Sequence, residues 1–163
     1  MSVKQFYLIA TALVFLCMNS CSYQVTRDAS VLVQSIANDP ASLNPLLAPS
    51  EDAAAIYSRV YEKLAYRDLD TLELKPQLAT HWEISADKLT YIFYLRKGVY
   101  WHDGVPFTAD DIIFTYERIK DPQVDASRLR SYYRNVEKLE KIDDYTVRFT
   151  YKKPYFKALA ILG

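Results

Sequence analysis

Beyond position 21 this chain has no cysteine: Cys17 and Cys21 both lie within the first 21 of its 163 residues. No disulfide can form inside the remainder, and it offers no thiolate nucleophile or cysteine-based metal site. Glycine is nearly as scarce. Gly98, Gly104 and Gly163 stand too far apart to build a phosphate-cradling loop. Two histidines are present. His81 lacks a second ligand at metal spacing. His102 beside Asp103 belongs to a turn, and no nucleophile adjoins it. Net charge is absent as well: 20 basic and 20 acidic residues cancel, so no global field draws the chain to nucleic acid or to an anionic surface. There is no internal repeat and no low-complexity tract. With no catalytic constellation, cofactor loop or metal site to point to, the chain reads as a non-enzyme.

What the chain does have begins at its start. Residues 1–20 carry a positive charge at Lys4 and an apolar run over residues 6–16. That run is too short to cross a bilayer comfortably, which argues for a signal peptide and against a membrane helix. Cys21 follows the small residue Ser20, an arrangement similar to a bacterial lipoprotein signal. Acylation there would anchor the chain to a bacterial membrane on the extracytoplasmic side, at about 0.8 kcal/mol per buried CH₂. Plain secretion with an incidental cysteine is the alternative. Residues 21–30 are polar and read as a tether. Half the residues are hydrophobic and 14 are tyrosine. These suit half-buried faces with wet hydroxyls, or a tyrosine-lined cleft.

Further along, residues 31–36 read as a first strand. Residues 38–45 form a turn-rich loop with Pro40 and Pro45. Pro49 and Ser50 lead into a helix with Glu51 and Asp52 in its first turn, and Ile56, Val60 and Leu64 share one face. Residues 68–71 form a turn. Trp82 and Ile84 alternate with His81, Glu83 and Ser85, and Leu89, Tyr91, Phe93 and Leu95 with Thr90, Ile92, Tyr94 and Arg96, on either side of residues 85–88, the pattern of an antiparallel hairpin. Residues 101–104 form a turn, with Gly104 suited to a positive φ. The next helix has an over-determined start. Thr108 is the N-cap, Asp111 falls at N3, and Phe107 and Ile112 have the spacing of a hydrophobic staple. Ile112, Tyr116 and Ile119 mark its face, and Asp121 before Pro122 ends it. Ser127 caps a third helix that buries Leu129, Tyr132, Tyr133 and Val136. Its Arg128, Arg130 and Arg134 form either a solvated face or a patch for a partner. Residues 137–142 and 145–151 make a second hairpin, and residues 155–162 a last helix.

Four segments carry a resemblance: Pro76 to Glu83, Leu89 to Gly98, Trp101 to Asp111, and Tyr116 to Pro122. In that order they resemble the bacterial extracellular solute-binding proteins of family 5, the peptide-, oligopeptide- and nickel-binding components of ABC importers. The loop at residues 39–45 and the segment from Val60 to Leu64 fit the same pattern. The hairpin turn departs from it, with Asp87 and Lys88 where the family commonly has Asp-Gly. Lys88 at a positive φ would cost about 1 kcal/mol.

The resemblance implies an α/β architecture with an α+β subdomain, the N-terminal portion of a two-lobed fold of the periplasmic-binding-protein type II kind. Residues 31–163 would then be the first part of that domain, truncated at the C-terminus. Residues 31–56 would start lobe I, and residues 57–163 would fall mostly in its small subdomain, as scaffold. The implied function is capture of peptides, or of a related solute, outside the cytoplasmic membrane for delivery to an ABC permease and its ATPase. A surface lipoprotein of the same fold, acting in adhesion or signalling without transport, is the alternative. Family members take dipeptides, oligopeptides, nickel complexes, haem or sugars. In relatives the loop after the first strand borders the cleft, so Pro49, Ser50, Glu51 and Asp52 are the candidate ligand contacts. Glu51 and Asp52 would meet a peptide's amino terminus, or else serve as helix caps. Alone, the chain is expected to bind peptides weakly or not at all.

Overall fold

The computed structural model describes residues 30–31, 33–47 and 50–163. Contacts divide the chain into Met1–Ser35 and Ile36–Gly163. In the first unit the described residues form a turn at Ser30 and irregular chain after it. The strand expected over residues 31–36 is therefore not formed at the described positions, and Val31 and Val33 are exposed. Alternating apolar residues make a strand possible, but a strand also needs a ladder partner for its backbone. The signal segment, the tether and Cys21 lie outside the described residues.

The second unit is built around an antiparallel sheet of four strands in the order β3-β4-β6-β5. These are β3 (Ala79–Ile84), β4 (Thr90–Leu95), β5 (Val136–Asp143) and β6 (Thr146–Tyr151). Tyr91, Phe93 and Leu95 on β4 and Val147, Phe149 and Tyr151 on β6 are buried, while Ile92, Tyr94, Arg148 and Thr150 are half-buried. The period-two pattern thus places one face of the central pair in the core, as expected. Phe93 stands opposite Val147 and Tyr91 opposite Phe149. Phe93 and Phe149 meet edge to face at 5.9 Å. Both predicted hairpins form, with β3 extended to Ala79 and β5 to Val136.

At the β3–β4 turn Lys88 adopts φ 58°, the strained conformation expected there. Local bonds offset it: Thr90 N–H donates to the Ser85 hydroxyl at 2.9 Å, and Leu89 N–H to the Asp87 carboxylate at 3.0 Å. Each such bond contributes about 1 kcal/mol. The Ser85 hydroxyl, and then the Leu89 N–H, hold the Asp87 carboxyl below its ordinary range.

Helix α1 (Glu51–Tyr57) is shorter than expected, so Val60 and Leu64 lie past its end. Val60 is 48% exposed. A helix of two turns has little intrinsic stability and continues only while its apolar face is packed. Two short strands follow, β1 (Ala65–Arg67) and β2 (Leu74–Pro76), paired antiparallel. The Asp68 carboxylate organises the turn between them, accepting from the N–H groups of Asp70 and Thr71.

Helix α2 (Ala109–Lys120) lies against β5 and β6. It buries Ile119 and part-buries Ile112 and Tyr116, as the spacing predicts, and Asp121 ends it with ψ 119°. Helix α3 (Ser127–Tyr132) differs from expectation: Ala126 is its N-cap, without a side-chain cap bond. Arg130 is neither a solvated nor a partner-facing group. Its guanidinium donates to the carbonyls of Ile119 at 3.0 Å, Asp121 at 2.6 Å and Val124 at 2.7 Å. Those acceptors sit at and just beyond the C-terminal end of α2, where carbonyls are left unsatisfied and a cation is favoured. Val136 is buried but opens β5 instead of closing α3. Helix α4 (Ala158–Leu162) ends the chain, starting three residues later than expected.

One core group is unusual. The Tyr151 hydroxyl is buried with no hydrogen-bond partner among the described residues. Burial pushes its phenol pKa upward, with nearby tyrosines adding to the shift. An unpaired buried hydroxyl costs about 1–3 kcal/mol. Tyr151→Phe should therefore leave the thermal midpoint unchanged or raise it. A drop worth more than about 1 kcal/mol in a urea titration would mean that the hydroxyl has a partner.

Candidate functional site

The expected contact region begins at the α1 start. Ser50 is its N-cap, and the Ser50 hydroxyl accepts from Ala53 N–H at 3.2 Å. Asp52 turns back toward the preceding loop. Its carboxylate accepts from the backbone N–H of Ala37 at 3.1 Å, that of Asn38 at 3.2 Å, and the Asn38 side-chain amide at 3.3 Å. It clasps the loop through groups that would otherwise need water. Glu51 is exposed, with no hydrogen-bond partner among the described residues. Of the four candidates, then, Glu51 has a carboxylate available to a ligand cation, Ser50 and Asp52 are engaged in local structure, and Pro49 lies outside the described residues. Sequence alone could not separate Glu51 from Asp52, because both belong to the first helical turn.

A second feature was legible in the sequence only as the turn at residues 101–104. Residues 99–107 form a tight loop closed on itself. Phe107 N–H donates to Val99 carbonyl, Trp101 N–H to Val105 carbonyl, and Gly104 N–H to Trp101 carbonyl, at 2.8–3.0 Å. Gly104 has φ 87°, as expected of that position. Asp103 closes the turn through Val105 N–H, which confirms its structural role.

The loop is fixed to α2 through one side chain. Asp111 accepts from Thr108 N–H at 2.8 Å, completing the expected capping box. Its other oxygen accepts from the Trp101 indole N–H at 3.0 Å. Trp101 also stands edge to face with Phe107 at 5.9 Å. The indole N–H was the available signal, since a tryptophan packed into structure generally finds an acceptor. Asp110 is occupied too, paired with Lys141 at 2.7 Å.

Beside this loop is a cleft of about 270 Å³, lined by Val60, Tyr61, Glu62, Leu78 and Val99 and by Tyr100, Trp101, His102 and Phe107. Four of its nine lining residues are tyrosine, tryptophan or phenylalanine, and Glu62 is the one acidic residue among them. The segment before β1 is tied in place by Leu78 N–H, which donates to Lys63 carbonyl at 2.9 Å. Among the described residues no group of three or more His, Cys, Asp or Glu side chains could hold a metal ion. No helix among them is long and apolar enough to cross a membrane.

A family model for "Bacterial extracellular solute-binding proteins, family 5 Middle" matches residues 73–163. The dipeptide-binding protein of Escherichia coli (strain K12) is 33% identical over 154 residues, covering 83% of this chain and 28% of that protein. The structure of NikZ from Campylobacter jejuni in complex with Ni(L-His) superposes with a TM-score of 0.68 at 38% identity, over 77% of this chain and 24% of that one. The binding protein DppA from Helicobacter pylori, in complex with peptide STSA, gives 0.65 at 35% identity, over 77% and 28%. The chain thus spans about 28% of the length of the dipeptide-binding relative.

Proposed function

Because this chain belongs to the bacterial extracellular solute-binding proteins of family 5, we propose that it is part of a substrate-binding lipoprotein of a peptide-type ABC importer. Its fold is the N-terminal portion of the type II periplasmic-binding-protein architecture. In this role it catalyses nothing. It helps to capture a peptide or related solute outside the cytoplasmic membrane and present it to a permease coupled to an ATPase. The observation that carries the reading is the match of residues 73–163 to the family together with superposition on a peptide-bound relative.

Two residues give the proposal separate tests. Cys21 is the acylation site. Expression in a Gram-negative host with labelled palmitate should label the chain, and Cys21→Ser should abolish the label and release the protein in soluble form. A label that survives Cys21→Ser would exclude this anchor.

Among the candidates Pro49, Ser50, Glu51 and Asp52, Glu51 is the carboxylate that would meet a peptide ammonium group, a reading supported by its exposure. A charge-assisted hydrogen bond of this kind contributes about 1.5–3 kcal/mol. In a polypeptide that joins this chain to a second lobe, Glu51→Gln should weaken dipeptide binding at least about tenfold by calorimetry. Unchanged affinity would remove Glu51 from the site.

A further inference from the structure

We propose that the tip of the β1–β2 hairpin is a lipid-contact site, with Leu69 and Leu72 entering the interfacial region of a bilayer. The inference rests on the reading of the chain as part of a membrane-anchored lipoprotein and adds a second, direct contact with that membrane.

Leu69 and Leu72 are 89% and 63% exposed, and both lie in the turn between β1 and β2. Single exposed leucines are ordinary. These two share one tip, and Leu72 is held at φ 59°. That conformation favours glycine, so a leucine there is strained. Strained residues cluster at functional positions.

The turn satisfies its own backbone, as a segment that meets lipid must. The Asp68 carboxylate accepts from the N–H groups of Asp70 and Thr71 at 3.0 and 2.8 Å. Leu72 N–H donates to the Asp68 carbonyl, and Asp68 N–H to the Glu73 carbonyl, both at 2.9 Å. The Arg67 guanidinium donates to the Leu72 carbonyl. The leucines are thus displayed on a turn that is already ordered, which lowers the entropic cost of contact.

The flanks suit the headgroup level. Tyr66 on β1 is 45% exposed, and Arg67 and Lys75 bracket the turn. Tyrosine is enriched at that depth, and basic side chains reach it with their stems in apolar surroundings and their charges in water. Two of the acids are engaged: Asp68 holds the turn, and Glu73 pairs with Lys75 at 2.9 Å. Asp70 is exposed, and the cost of dehydrating its carboxylate keeps the insertion shallow.

Size decides against a protein partner. A specific protein interface takes about 800 Å² from each side, and two leucines and a tyrosine on a convex tip fall far short of that. A bilayer adapts to what enters it and needs no matched surface. Weak insertion also suffices for a chain that acylated Cys21 already holds at the membrane, because tethering raises the effective concentration. The contact then fixes which way the anchored protein faces the bilayer.

For the test, the chain from residue 21 onward carries Cys21→Ser and an amino-terminal histidine tag. A nickel-chelating lipid holds it on vesicles of phosphatidylcholine and phosphatidylglycerol. No other thiol remains, so Leu69→Cys takes a single environment-sensitive dye. Its emission should shift to the blue on the vesicles and be quenched at least about twofold by nitroxide-labelled phospholipid. The same dye on Ala86→Cys, exposed in the β3–β4 turn, should not respond. In the Leu69→Cys chain, Leu72→Gly should at least halve the lipid quenching while leaving the thermal midpoint unchanged or raising it, since glycine relieves the strain. A leucine with only a structural role would lower the midpoint and leave the dye unmoved. The proposal is overturned by an unresponsive dye at position 69, by equal responses at the two positions, or by a response that follows protein surface density through self-association. The histidine tag stands in for acylation, so this contact and the Cys21 anchor fail separately.

Discussion

Phe93→Ala should destabilise the chain by about 3–5 kcal/mol, the cost of emptying a well-packed aromatic site. Phe93 is fully buried at the middle of β4, a strand hydrogen-bonded on both sides. It packs edge to face on Phe149 and lies 6.1 Å from Trp82, so no neighbour can collapse into the space without leaving its own contacts. Against a typical domain stability of about 5–15 kcal/mol, such a loss would leave much of the population unfolded at 37 °C. Urea titration followed by circular dichroism measures it. Phe114 provides the control: it faces solvent on α2 at 62% exposure, and Phe114→Ala should shift stability by no more than about 0.5 kcal/mol. Equal effects at the two positions would show that the core is not centred on the β4–β6 pair.

Asp111→Ala should come next, at about 1.5–2.5 kcal/mol. The substitution leaves two donors without an acceptor, the Thr108 backbone N–H and the Trp101 indole N–H. The Trp101 bond is exposed, so its loss costs about 0.5–1.5 kcal/mol, the net worth of an ordinary hydrogen bond, and loss of the helix cap about 1 kcal/mol. The same change releases Trp101, so its fluorescence should shift to the red and its quenching by acrylamide should rise. Asp111→Asn keeps one carbonyl oxygen and should lose about half as much. Asp110 distinguishes this bond from a general preference for acidic residues at a helix start. Its side chain is 70% exposed and pairs with Lys141 across the surface, so Asp110→Ala should fall within experimental scatter. If Asp110→Ala and Asp111→Ala behaved alike, the indole bond would carry no stability.

The elements that were readable in the sequence are those whose information is local. The α2 start announced itself through Thr108, Asp111, Phe107 and Ile112, all within six positions, and each took its expected place. Both hairpins were readable because a one-residue slip would turn a whole face outward. What escaped depended on distant partners. Strands β1 and β2 have three residues each, too few to show a period, and the hairpin needs Leu72 at φ 59°, which its residue type does not suggest. Arg130 looked like one of three surface arginines until the fold brought the end of α2 to it. Asp52 could not be told apart from Glu51 because nothing in the sequence placed Ala37 and Asn38 against it. The Trp101–Asp111 bond spans ten residues, beyond the reach of any helical or strand periodicity. The cleft combines residues 60–62, Leu78 and residues from 99 to 107, three segments spread over nearly fifty positions.

Calorimetric titration of dipeptides into the purified chain tests the central claim most directly, namely that these residues supply scaffold and one edge of a site completed elsewhere. No saturable heat is expected up to millimolar dipeptide. Micromolar affinity for the chain alone would contradict it, and would place a whole binding site within residues 36–163.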